Sequence, residues 1–210
     1  LQCQHLISSE WGEVSVNRNK PKSLFPLKYL RISGLDLYGE LRRIVHQYGF
    51  QREQAAVLAL QSTENGVKVT TEKGIFLSIT VFDSLPPQYL SPIKNEAHLL
   101  QSFIGYVITT EKPLFTANCI DLMDFGVQQQ GHTQFMYVLP LGTDKLLVEL
   151  TRFGLLPITT EEAEPILSQY ISQRFGGFQI LETETGCIPM STAATAVDKM
   201  AGVLSIGGRA

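Results

Sequence analysis

Two apolar runs meet around a turn in the stretch FMYVLPLGTDKLLVELTRF (residues 135–153), and no other feature constrains the chain as much. Residues 133–139 and 145–152 are rich in Val, Leu, Phe and Tyr, and Pro140-Leu141-Gly142-Thr143-Asp144 lies between them. Such runs around a Pro/Gly/Asp punctuation predict a β-hairpin. Glu149 falls in the middle of the second run, between Val148 and Leu150. A carboxylate there must face water, find a partner or shift its pKa. Alternation puts Lys145, Leu147, Glu149 and Thr151 on one face, and Leu146, Val148, Leu150 and Arg152 on the other. The first face is the more polar, so spacing alone reads Glu149 first as a solvent-facing strand residue. The pairing leaves two registers open. If Leu141 pairs with Asp144, Glu149 lies opposite Met136. If Pro140 pairs with Asp144, it lies opposite Phe135, with Tyr137 next along.

A chain of 210 residues can bury a substantial core, as one domain or two small ones. Charged residues are 18 % and the net charge is −3, so nothing electrostatic argues for a nucleic-acid partner. The basic doublet Arg42-Arg43 reads as a solvated helix face. Cys3, Cys119 and Cys187 are far apart and lack metal-ligand spacing, which fits reduced thiols in a cytosolic protein. No apolar run reaches the roughly 18–20 residues of a spanning helix. No signal-peptide pattern occurs in these residues. Both ends read as cut: the chain opens at Leu1 without Met and stops just after Ile206-Gly207-Gly208, where an apolar run enters a Gly turn.

Residues 1–26, with Trp11, read as an irregular surface segment. A short strand is predicted at 27–32, then a helix capped by Asp36 and stopped by Gly49. Leu37, Leu41, Ile44, Val45 and Tyr48 form its stripe for packing on a sheet. Strands are expected at 54–61, 67–71, 75–79 and 79–82, with Asn65-Gly66 as a hairpin turn. Further strands fall at 99–108 and 122–128, the latter carrying Asp124 between Met123 and Phe125. A second helix follows the hairpin. Thr159 and Glu162 have capping-box spacing, Pro165 lies near the first turn, and Gly176-Gly177 ends it. Strands at 178–182 and 203–206 flank a loop or strand end at 186–190. The pattern is α/β to α+β, with a large mixed sheet. Aromatics such as Phe125, Phe135 and Tyr137 are core by default, or line a wall for a long apolar ligand.

Eight segments, in order, resemble the lycopene cyclases of the bacterial soluble-fold branch. They are HLISSEW (5–11), VFDSLPP (81–87), LLQSFIGYVITTEKPLF (99–115), LMDF (122–125), FMYVLP (135–140), LVELT (147–151), GCIPM (186–190) and IGGRA (206–210). The resemblance implies a partial flavoprotein fold like that of p-hydroxybenzoate hydroxylase. Residues 1–87 would then belong to the FAD-binding region, 88–185 to the substrate-domain sheet, and 186–210 to the return into the FAD region. It implies an intramolecular lyase or isomerase of carotenoid biosynthesis that closes lycopene ends into ionone rings. An alkene is protonated, the cation cyclises and a proton is lost. Reduced FAD is required without net consumption, with NADPH as reductant.

The resemblance makes Glu149 of LVELT the leading acid/base or cation-stabilising group, with Asp124 of LMDF second. A structural hydrogen bond reads equally well for Asp124. Phe125, Phe135 and Tyr137 become substrate-binding candidates, through cation–π contact. Asp83, Gly207 and Gly208 become flavin-proximal candidates; no metal is implied. The chain departs from the family pattern at Leu85, usually Arg, at Arg209, often Thr, and at Leu150, which replaces the second Glu of plant-like members. It contains no G-x-G-x-x-G; in the family that unit precedes the matched region. A membrane-dissolved substrate implies a cytoplasmic protein in peripheral membrane contact through an exposed apolar loop. Two other readings stand beside this one: a different lipid-acting flavoprotein, such as a prenyl reductase or monooxygenase, and a truncated, non-catalytic remnant that binds an apolar ligand.

Overall fold

A computed structural model describes residues 3–84, 98–113, 118–192 and 200–206. In chain order the elements are β1 (Ile7–Trp11), β2 (Glu13–Val16), β3 (Lys22–Ser23), β4 (Tyr29–Ile32), α1 (Gly34–Gln47), β5 (Val57–Thr63), β6 (Gly66–Thr71), β7 (Gly74–Ser78) and β8 (Val81–Asp83). There follow β9 (His98–Thr110), β10 (Cys119–Asp124), β11 (Thr133–Pro140), β12 (Lys145–Gly154), α2 (Thr160–Phe175), β13 (Phe178–Ser191) and β14 (Val203–Ser205). The chain forms two compact units, residues 1–41 with 98–190, and residues 42–97 with 191–210.

The first unit is built on a seven-stranded sheet in the order β13-β9-β12-β11-β10-β2-β3. β9, β12, β11 and β10 pair antiparallel, and β10 pairs parallel with β2, so the sheet is mixed. β1 and β4 make a separate antiparallel ribbon. In the second unit, β5, β6 and β7 form an antiparallel sheet around the Asn65-Gly66 turn, and β8 pairs parallel with β14.

The central hairpin forms, but in neither of the expected registers. Pro140 pairs with Leu146, and Glu149 lies opposite Tyr137. The Lys145 carbonyl accepts the Leu141 N–H at 2.7 Å and the Gly142 N–H at 3.2 Å, so the turn takes one residue more than a two-residue loop. That shift decides which side chains neighbour Glu149.

Both faces of this sheet are covered by apolar side chains. On one, Ile104, Tyr106, Ile108, Met136, Val138, Leu146, Val148 and Leu150 pack against Ala163, Leu167, Tyr170 and Ile171 of α2. On the other, Val107, Leu139, Leu147 and Ile120 pack around Trp11. Trp11 is thus core, not surface: its indole N–H donates to the Pro140 carbonyl at 3.1 Å, which satisfies the polar atom that burial exposes to apolar surroundings. α2 carries the expected capping box. Thr159 Oγ1 accepts the Glu162 N–H, Glu162 Oε2 accepts the Thr159 N–H at 3.0 Å, and Gly176 (φ 82°) ends the helix.

Other expectations are corrected by tertiary pairing. The first helix begins at Gly34, with the Ser33 carbonyl accepting the Leu37 N–H, so Asp36 lies inside the first turn rather than capping it. None of its residues is buried. Residues 7–11, 13–16 and 22–23 are strands, because β1 finds β4, and β2 finds β10 and β3, as partners. The strand expected at 122–128 is Cys119–Asp124, and 186–190, open between loop and strand end, is the end of β13.

Candidate functional site

Glu149 lies on the Trp11 side of the sheet. Its cross-strand neighbours are Tyr137 on β11 and Gly105 on β9. Beyond it towards Gly154, the same face carries Thr151, Phe135 and Phe103. The apolar cluster under Trp11 ends with Leu147, Leu139 and Val107, one pleat away. Glu149 therefore sits at the border between a dry cluster and an aromatic wall. Phe135 is the hub of that wall: its ring centroid is 5.3 Å from Phe125, 5.2 Å from Tyr137 and 6.2 Å from Phe153. The three aromatic residues singled out in the sequence thus form one cluster, and its Tyr137 lies directly opposite Glu149.

Glu149 is partly buried, and burial is the main reason that its carboxyl is pushed up to about 7. The Thr151 hydroxyl donates to Glu149 Oε1 at 2.9 Å and works in the opposite direction. Glu184 on β13 raises it further by its charge and by hydrogen bonding. Glu184 escaped the sequence reading. It sits in Glu182-Thr183-Glu184-Thr185-Gly186, and no local spacing links it to Glu149, 35 residues earlier. The legible signal was Gly105 inside the apolar run FIGYV, since a Gly in a strand interior marks a close approach. A Cβ at Gly105 would meet Glu184 Cγ at 3.0 Å and Glu149 Cβ at 3.4 Å. At Gly186 the corresponding space is filled by the Phe103 ring. Tyr137 also titrates high, through burial first and the Glu149 charge second.

Asp124 is placed elsewhere. β10 bulges between Asp121 and Asp124, with Met123 at φ 52°. Strict alternation would put the two acids on opposite faces; the bulge turns both towards α2. Tyr170 Oη donates to Asp124 Oδ2 at 2.6 Å, Arg18 Nε donates to the same oxygen, and the Gly126 N–H donates to Oδ1 at 2.9 Å. Arg174 bonds Asp121 and Tyr170 and stands 3.7 Å from Asp124. Burial pushes the Asp124 carboxyl up, but the Tyr170 and Arg18 hydrogen bonds outweigh it and hold it below the usual carboxylate range. The structure does not bring Asp124 to Glu149, and an ionised carboxylate on the α2 face has no proton to give to the aromatic wall. A cavity of about 430 Å³ lies on that side, lined by Arg18, Val127, Ile166, Tyr170 and Arg174. Both of its arginines are already engaged by acids.

Asp83 lies in the second unit, buried at the end of β8. β8 and β14 run parallel, and the Asp83 carbonyl accepts the Ile206 N–H at 2.9 Å, so both strands end at one edge. Gly207 and Gly208 lie outside the described residues. No group of His, Cys, Asp or Glu that could hold a metal occurs among the described residues, and the three cysteines are free.

Solved structures with the same fold confirm the architecture. A geranylgeranyl bacteriochlorophyll reductase-like protein from Thermoplasma acidophilum matches with a TM-score of 0.64 at 13 % identity, covering 98 % of this chain and 56 % of that one. A glycine oxidase from Geobacillus kaustophilus matches at 0.57 and 13 %, covering 84 % of this chain and 48 % of that one. An anhydrotetracycline hydroxylase from Streptomyces rimosus matches at 0.55 and 13 %, covering 95 % and 43 %. The class is therefore a flavoprotein-like fold, α/β to α+β, with a large mixed sheet. The family model "Lycopene cyclase protein" matches residues 1–210, and the chain belongs to the lycopene cyclase family. A lycopene beta-cyclase from Pseudescherichia vulneris is 36 % identical over 74 residues, which are 34 % of this chain and 19 % of that protein. The chain thus spans about half the length of the structures it matches, and the curated match a smaller share.

Proposed function

We propose that this chain is part of a lycopene beta-cyclase-like enzyme, an isomerase of carotenoid biosynthesis that closes the ends of lycopene into ionone rings by acid/base chemistry. The observation that carries the reading is Glu149: a partly buried acid with its carboxyl at about 7, set against the wall of Phe125, Phe135 and Tyr137. A carboxyl in that range is still protonated near neutral pH and can serve as a general acid. Glu149 gives its proton to the terminal alkene of the substrate. The tertiary cation that results is opposed by the carboxylate left behind and by the aromatic faces, and the ring carbon–carbon bond forms from the next alkene. Loss of a neighbouring proton restores neutrality, so the product is an isomer. Asp124 takes no part in these transfers; its work is to fasten β10 to α2.

The second unit, residues 42–97 with 191–210, is assigned to the flavin-binding region, and the seven-stranded sheet of the first unit to the substrate. Asp83, Gly207 and Gly208 would hold FAD, which supplies, when reduced by NADPH, electron density that favours the cationic path without net electron transfer. Support for a flavin comes from family and fold together. A carotenoid dissolved in a bilayer calls for a peripheral docking loop. Exposed Leu155 and Leu156, directly after β12, are the residues proposed for it. No helix among the described residues is long and apolar enough to cross a membrane.

The test is ring formation in lycopene-accumulating cells that express the full-length protein, with Glu149→Gln beside it. Loss of rings in a variant that still folds supports the assignment. Full activity of Glu149→Gln overturns it. A reductase, a monooxygenase or a ligand-binding remnant would leave lycopene open-chained with either sequence.

A further inference from the structure

β12 and β13 are not neighbours; β9 runs between them. Side chains on one face of such strands start roughly 10 Å apart, two inter-strand spacings. Two glutamates can close that gap only if the residue between them leaves its space empty, and Gly105 does. A Cβ there would press on Glu184 Cγ at 3.0 Å, on Glu184 Oε1 at 3.2 Å and on Glu149 Cβ at 3.4 Å. Glu184 thus lies across the bare backbone of β9 towards Glu149.

We propose that Glu184 is a positioning residue that shares one proton with Glu149 across Gly105 and so keeps the reactive carboxyl loaded. The proposal rests on the cyclase reading for its reaction, but the carboxyl pair itself does not depend on it. Neither glutamate forms an ion pair with a described residue. The titratable groups facing Glu149 are Glu184 from β13 and Tyr137 from β11, with Tyr29 of β4 acting on Tyr137 in turn. From its own strand comes only the Thr151 hydroxyl, and from β9 only Gly105 and Phe103. The second carboxyl, with no cation beside the pair among the described residues, opposes ionisation of Glu149 and helps hold its proton on. The raised Glu149 carboxyl agrees with this.

The cycle balances without any co-reactant. The Glu149 proton bonds to an alkene carbon through that alkene's π pair, which leaves a tertiary cation. The next alkene's π pair forms the ring bond. The pair now carries two negative charges facing one positive one. When the cyclic cation gives up a neighbouring proton, the C–H electrons become the ring double bond, and the repelling carboxylates take the proton back. Nothing is oxidised or reduced.

The experiment uses the full-length protein, with Glu184→Gln, Glu184→Asp and Gly105→Val. The first readout is the 13C shift of the Glu149 carboxyl against pH, assigned by its disappearance in Glu149→Gln. The second is the pH profile of lycopene turnover. The wild-type carboxyl should titrate near 7. Glu184→Gln should lower that midpoint by about one pH unit and move the alkaline limb of turnover with it, with KM unchanged. Glu184→Asp should restore part of the shift. Gly105→Val, which keeps both acids but fills the gap, should reproduce Glu184→Gln and decides the matter if that variant fails to fold. An unmoved Glu149 midpoint in Glu184→Gln or Gly105→Val overturns the proposal. If wild type makes no rings while the carboxyl titration moves as described, the pair stands and the cyclase reading falls.

Discussion

Asp124 and Glu149 lie on strands separated only by β11, each set between apolar neighbours in sequence, yet they end in opposite states. Burial pushes both carboxyls up. On the α2 face, Asp124 meets Arg18, the Tyr170 hydroxyl and the Gly126 amide, and stays ionised. On the Trp11 face, Glu149 meets a second carboxyl and one hydroxyl, and keeps its proton to about pH 7. Burial alone does not set the charge of an acid; the partners that come with it do. One face uses a carboxylate to hold elements together, the other keeps one uncompensated and available.

Four perturbations sharpen that contrast. The largest effect is expected at Glu149. Glu149→Gln should cut ring formation by about 10²–10⁴-fold, measured as cyclic against open-chain carotenoid, while Asp124→Asn in protein that still folds retains activity within about tenfold. Comparable losses in both would erase the distinction between the faces.

Stability should respond the other way round. Asp124→Ala leaves Tyr170 and Arg18 without their acceptor and should cost about 2–4 kcal/mol in urea unfolding. A cost under about 0.5 kcal/mol would mean that the network does not fasten β10 to α2.

The pH dependence of folding separates the two acids by sign. Glu149 has a folded value of about 7 against an ordinary 4.5, so the native state binds more protons between those values. Its contribution is complete below 4.5 and is lost as pH rises through 7. Glu149→Gln should therefore be more stable than wild type at pH 8, by about 1–3 kcal/mol, and less distinguishable at pH 5. Asp124 lies below its ordinary 3.8, so its contribution is present above 3.8 and is lost as pH falls through the lower folded value. Melting curves from pH 3 to 9 for wild type and both variants would show the two limbs; a Glu149→Gln curve parallel to wild type would refute the first.

The smallest effect is expected at the α2 cap. Thr159→Ala removes the acceptor for the Glu162 N–H and should cost about 1 kcal/mol. It should leave the Glu149 titration untouched, because α2 packs on the other face. A shift of that titration would show that the faces are coupled.

Much of this was legible in advance. The hairpin, both helices and the capping box follow from local spacing; spacing alone read Glu149 as solvent-facing, and the family resemblance, from motifs such as LVELT and LMDF, made it the leading acid. The hairpin register was not. One more residue in the turn put Tyr137, rather than Met136 or Phe135, opposite Glu149. The facing of Asp124 was not either, since alternation cannot foresee a bulge at Met123. Trp11 read as surface because most of its cover comes from β9 to β12, strands far along the chain.

What the sequence by itself determined is what neighbouring residues decide among themselves: strand and helix periods, caps, turns, and an acid inside an apolar run. Only the tertiary structure decided the chemical state of that acid. Glu184 lies 35 residues from Glu149 in the chain and on a strand that does not pair with its own. The two meet because β9 runs between them with a glycine at the crossing point. Electrostatic coupling depends on distance in space, and the fold, not the order of residues, supplies that distance.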